Sequence, residues 1–138
     1  MDLLVPPGNA DHAVASDGEA FIWRPSEHVV IQQAAGVLSL ALAELFGDFY
    51  RPILVPGTRI EIFDDFERLR LYTKDAREYL TNLTLERLST IETIHFLLTS
   101  KLLALGVSAF KHQIGDERVT IYAERASFLR SYERAVAR

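Results

Sequence analysis

Apolar positions are unevenly spread along the chain, and their spacing predicts helices more often than strands. Residues 1–18 show no apolar period, and Pro6, Pro7, Gly8, Asn9, Asp11, Ser16, Asp17 and Gly18 interrupt them every few residues. That is the pattern of an extended or disordered arm. Residues 20–24 form a short β-favouring run closed by Pro25, which suits an edge strand or an extended anchor. Ser26 then reads as an N-cap, with Glu27 in the first turn near the positive end of the helix dipole. The helix it opens runs to about residue 46, and its second half from residue 37 is apolar nearly all round, so it is expected to be enclosed on several sides. The β-branched run His28-Val29-Val30-Ile31 leaves residues 28–33 open between helix and strand.

Residues 53–55 and 58–63 read as two short strands joined by the turn Pro56-Gly57, with Ile60 and Ile62 on one face and Arg59 and Glu61 on the other. Asp64-Asp65-Phe66-Glu67 matches a capping box, in which Asp64 caps a second helix and Glu67 reaches back. Phe66, Leu69, Tyr72, Ala76, Tyr79 and Leu83 give that helix an apolar face, and charges fill the opposite one. Thr84 caps a third helix running to about residue 105, with Gly106 as C-cap and Leu85, Leu88, Ile91, Ile94, Leu98, Leu102 and Leu105 as its inward stripe. Residues 110–114, a turn at 115–117 and residues 119–122 have the pattern of a hairpin. A last helix follows from about residue 123, with Tyr122, Ala126, Leu129, Tyr132 and Val136 on one face. These elements add up to an α+β, helix-dominated fold of about four helices with short β-hairpins. It divides into an arm, residues 1–18, and a single globular helical domain, residues 19–138.

Composition supports a folded domain and narrows its partners. A chain of 138 residues suits one core, and 49% hydrophobic with 25% charged residues lies outside the disordered class. The net charge of -4 argues against a protein held mainly by phosphate backbone, so no sequence-specific nucleic acid is expected. Residues 1–50 carry seven acids against Arg24 alone, a balance of 1 − 7 = -6 that leaves +2 for the remainder. Without cysteine there is no disulfide, no thiolate ligand and no cysteine nucleophile, which is compatible with a reducing compartment, and the chain is expected to be made in the cytoplasm. The first residues lack a basic n-region, so no signal peptide is expected. The longest uncharged apolar stretch, residues 29–43, is shorter than the roughly 20 residues that cross a bilayer, so no membrane is expected.

Candidate chemistry is sparse. Glu92 and His95 stand at the Glu-x-x-His spacing that binds metal from a helix in di-iron bundles, but such sites need a second copy, and the sequence has none. No nucleophile elbow and no glycine-rich phosphate loop occurs. His12, His28 and His112 stand beside no candidate nucleophile. The expectation is therefore no catalytic residue, no metal, no cofactor and no enzymatic activity. Phe21, Ile22 and Trp23 are the candidate partner-binding residues, because a tryptophan flanked by apolar residues offers the desolvated contact that dominates interfaces. The expected partners are other protein chains, foremost further copies of this one in a homo-oligomer.

Residues 114–126, Ile-Gly-Asp-Glu-Arg-Val-Thr-Ile-Tyr-Ala-Glu-Arg-Ala, running on into Phe128-Leu129-Arg130-Ser131-Tyr132, resemble the C-terminal hairpin and helix of head–tail adaptor (connector or neck) proteins of tailed bacteriophages. The resemblance implies a structural protein of the virion: a ring of identical subunits between portal and tail, with DNA passing through an axial channel. It carries over no catalytic residue. The alternative is a small cytosolic regulatory or immunity-type protein that binds one partner. A third class, an enzyme with a site assembled from scattered residues, would show as a polar pocket with perturbed carboxylates or histidines.

Overall fold

A computed structural model describes residues 4–138. In chain order these form β1 (Asp11–Ala15), β2 (Gly18–Ser26), β3 (Val29–Leu38), α1 (Leu40–Tyr50), β4 (Ile60–Asp65), β5 (Leu69–Tyr72), α2 (Lys74–Glu86), β6 (Ile91–Leu97), α3 (Lys101–Ile114), β7 (Val119–Tyr122) and α4 (Arg125–Ala137). The seven strands make one mixed sheet in the order β1-β2-β3-β4-β6-β7, with β5 also paired to β3. β1, β2 and β3 are an antiparallel meander, and β3, β4, β6 and β7 run parallel. Helices connect the parallel strands, as such connections require. The architecture is α/β and strand-rich, which corrects the helix-dominated α+β expectation.

Each misread segment has a physical reason. Strands covered on both faces are apolar without alternation, and periodicity alone does not tell them from buried helix. β3 is such a strand, with Val29, Val30 and Ile31 all at 0% exposure, so the helix expected from Ser26 is a β2–β3 hairpin followed by the shorter α1. β4 and β6 are likewise interior strands, each paired on both edges. β6 occupies the middle of the expected third helix, where Ile91, Ile94 and Leu98 happen to keep helical spacing. The capping box at Asp64 is absent because β4 continues through Asp64 and Asp65, both buried. Residues 53–55 form turns rather than a strand, and residues 110–114 are the last turn of α3. β7 therefore joins the sheet parallel to β6 instead of closing a hairpin. Within the expected arm, residues 11–15 are β1, paired to β2 of the same chain; residues 1–3 lie outside the described ones.

The pleat sends alternate side chains to opposite sides. Ile60, Ile62 and Asp64 of β4, with Ile94 and Phe96 of β6, face α1, α2 and α3; Phe63 and Leu97 face α4 with Phe128 and Ala135. Two cores result, one on each side of the sheet.

β3 changes partner along its length, pairing with β4 over Val29–Gln33 and with β5 over Gly36–Leu38. Gly36 sits at this switch with φ +75, where an added Cβ would stand 2.3 Å from the Asp17 carbonyl oxygen. Backbone cannot yield as a flexible side chain does, and L-residues resist that φ. Gly36→Ala is expected to cost about 1–3 kcal/mol, read as a lower urea midpoint; an unchanged midpoint would show that the junction tolerates a side chain.

Candidate functional site

A cavity lies between α2 and α3 on the α1–α3 side of the sheet. It is open at its mouth: about 800 Å³ is free of protein atoms when the open solvent there is counted, and the room for the centres of water-sized spheres is about 90 Å³. β3, β4 and β6 supply the floor through Gln32, Ile62, Asp64, Ile94 and Phe96; Leu80 and Leu83 of α2 and Val107 and Phe110 of α3 supply the walls. Most of the lining is aliphatic or aromatic. Gly106 is part of the α3 wall because the Tyr72 hydroxyl lies against it, 1.9 Å from where a Cβ would stand. Among the described residues lining it, Arg77 of α2, exposed, is the one cation.

Three polar side chains stand in this apolar setting with almost no exposure: Gln32 at 6%, Asp64 at 3% and Tyr50 at 3%. Gln32 Nε2 donates to Asp64 Oδ1. Burial pushes the Asp64 carboxyl up to about 8, against the smaller opposing pull of the Gln32 hydrogen bond. At neutral pH it is therefore mostly the uncharged acid and itself a donor. Burial, with the Asp64 charge as a second cause, pushes the Tyr50 phenol well above its ordinary value. Its hydroxyl has no hydrogen-bond partner among the described residues.

The opposite side of the sheet carries a different polar assembly. Thr93 Oγ1 donates to Glu61 Oε1 at 2.9 Å, His95 Nε2 lies 3.0 Å from Thr93 Oγ1, His95 Nδ1 lies 2.8 Å from the Tyr122 hydroxyl, and that hydroxyl reaches Ser131 Oγ of α4 at 2.8 Å. Burial pushes His95 below its ordinary value, partly opposed by the charge of Glu61 and a hydrogen bond with it. Burial alone would raise Glu61, but hydrogen bonds from Arg138 and Thr93 and the charges of Arg138 and His95 outweigh it and hold the carboxyl below its ordinary value. At the strand ends Arg125 of α4 pairs with Asp65 and Glu67, each at 2.7 Å, and Gln33 donates to Asp65 at 3.0 Å. These groups satisfy one another and fasten α4 to the sheet.

The residues singled out from sequence are distributed otherwise. Ile22 is fully buried under α1 to α3 and Trp23 is buried in the α4 core, while half-buried Phe21 stacks on His12 with ring centres 4.1 Å apart. All three are thus engaged inside their own chain rather than presented as a surface anchor. Glu92 and His95 lie on a strand, where an offset of three sends side chains to opposite faces; exposed Glu92 pairs with Arg59 at 3.9 Å. His12 pairs with Glu19 at 2.7 Å and His112 with Asp116 at 3.3 Å. The cavity residues Gln32, Tyr50 and Asp64 were missed. The sequence reading places Gln32 inside the expected first helix, Asp64 at the expected cap of the second and Tyr50 in the connection after residue 46, so nothing local brings the three together.

No protein-family model and no curated protein matches the chain. Among solved structures, an uncharacterized protein of the DUF3478 family with a SpoIIAA-like fold, from Shewanella loihica PV-4, superposes with a TM-score of 0.61 at 13% identity, covering 91% of this chain and 96% of that one. No described helix is long and apolar enough to cross a membrane. The superposition overturns the likeness to phage head–tail adaptors, and with it the ring and the virion. Residues 114–132, which suggested it, are the end of α3, β7 and the start of α4, a helix-strand-helix unit of an α/β sheet. At this identity the likeness shows the fold alone, and that fold is the SpoIIAA-like α/β fold.

Proposed function

We propose that this chain is a small regulatory protein, not an enzyme, that holds an apolar small molecule in the cavity between α2 and α3 and acts on one protein partner. The observation that carries the proposal is the cavity itself, with walls from two helices, a floor from the central strands and a few buried polar groups at its base. Apolar pockets with a small number of placed polar groups are the usual form of a ligand site. The SpoIIAA-like fold fits a small regulatory protein better than a ring-forming adaptor. An enzyme of scattered residues calls for a polar pocket; here one carboxyl is perturbed within an apolar lining, and the other polar groups of the lining are amide, phenol, threonine and one rim arginine.

The test is fluorescence titration with N-phenyl-1-naphthylamine, an apolar dye that brightens when bound. Leu80→Trp adds bulk to a half-buried wall position, and the variant is expected to bind the dye at least about tenfold more weakly than the parent, a difference set by lost cavity space. Equal affinity in the two folded proteins would place the dye elsewhere and remove the support for the cavity.

A further inference from the structure

Tyr50 sets the strongest constraint on what the cavity holds. Tyr50 is one of the lining residues, and its hydroxyl has no hydrogen-bond partner among the described residues and is closed off from solvent. Buried hydroxyls are ordinarily paired, because an unpaired one forfeits its hydrogen bonds to water. Beside it on the floor, Asp64 already accepts from Gln32 through Oδ1. Of the described lining residues only Arg77, which is exposed, carries a positive charge. The floor thus offers donors to an acceptor and no counter-charge to an anion.

We propose that the cavity selects an uncharged, mostly apolar molecule bearing one hydrogen-bond acceptor, with a carbonyl oxygen the simplest case, and that the Tyr50 hydroxyl donates to that acceptor. This rests on the reading of the cavity as a ligand site. A carboxylate would be desolvated with no cation at the base, and buried charge without a partner is strongly disfavoured. An ammonium would require Asp64 to ionise, against the burial that keeps its proton on. A neutral ketone, ester or amide meets the phenol without either penalty.

Displacement of bound N-phenyl-1-naphthylamine at neutral pH by 2-undecanone, undecanoate and undecylamine tests this, in the parent and in Tyr50→Phe. The ketone is expected to be the best competitor against the parent, and Tyr50→Phe to weaken it about 3- to 10-fold, the usual worth of one neutral hydrogen bond. Dye affinity is measured in the variant as well, and the weakening of the ketone is read relative to it. Because the hydroxyl is unpaired in the free protein, the ligand-free variant should also melt no lower than the parent. Undecanoate or undecylamine matching the ketone would overturn the proposal, as would an unchanged ketone affinity in Tyr50→Phe or a lower melting temperature of that variant without ligand. Failure of the dye to bind the parent at all would instead sink the cavity reading, and this inference with it.

Discussion

Asp64→Asn is expected to gain stability over the parent as pH rises, by about 1.4 kcal/mol for each unit crossed between the unfolded and folded pKa values. The folded carboxyl titrates at about 8 and its ordinary value is 3.8. Between those values the folded state keeps a proton that the unfolded state has lost, so unfolding releases it and stability falls with rising pH. Below the lower value both states are protonated and the difference vanishes; above the upper one both are ionised and it stays constant. Asn keeps an acceptor for Gln32 and has no proton to lose. Urea midpoints should therefore separate the two proteins by roughly 2–3 kcal/mol more at about pH 7 than at about pH 5. Glu61, with its depressed pKa, makes its own contribution at high pH and loses it on acidification, but it is present in both proteins and cancels in the difference. Parallel stability curves would mean that Asp64 is solvated and ionised, and the floor of the cavity would have to be redrawn.

The second large effect belongs to the other side of the sheet. Phe63 is at 0% exposure, stacked on His95 at 4.1 Å between ring centres and edge-on to Phe128 and Tyr132, each at 5.7 Å. It joins β4 to α4. Phe63→Ala removes the ring and leaves a void among groups already held by Thr93, Tyr122 and Ser131, so little collapse can refill it; a loss of about 3–5 kcal/mol is expected. Chemical denaturation reads it directly. A loss under about 1 kcal/mol would show that α4 is not docked through this ring.

What was legible in the sequence divides along burial. α4 was legible as a helix because apolar and charged residues alternate with its period, but the face expected from Tyr122, Ala126, Leu129, Tyr132 and Val136 is displaced: Phe128 and Ala135 are the buried residues, and Ala126 is exposed. The central strands have no such contrast. β3 and β4 are covered on both faces, and Ile91 and Ile94 in β6 are separated by three residues as they would be on a helix. Asp64 and Asp65 were visible as a pair, but a cap is a local device, whereas their actual partners Gln32, Gln33 and Arg125 lie 32, 32 and 60 residues away. No local pattern encodes that. The cavity was hidden for the same reason, since Tyr50, Asp64 and Phe110 meet only once the sheet order is known. Trp23 was legible as an apolar anchor, and the β2–β3 pairing that sets it opposite Ile31 in the α4-side core was not.

Methyl-resolved NMR of the labelled protein, titrated with 2-undecanone, addresses the central claim that the cavity is the ligand site. Methyl signals of Ile62, Ile94, Leu80 and Val107, which line the cavity, should shift together and saturably, while those of Val29, Ile31 and Leu97 in the α4-side core stay in place. Shifts confined to the α4 side, or none at saturating probe, would contradict the account.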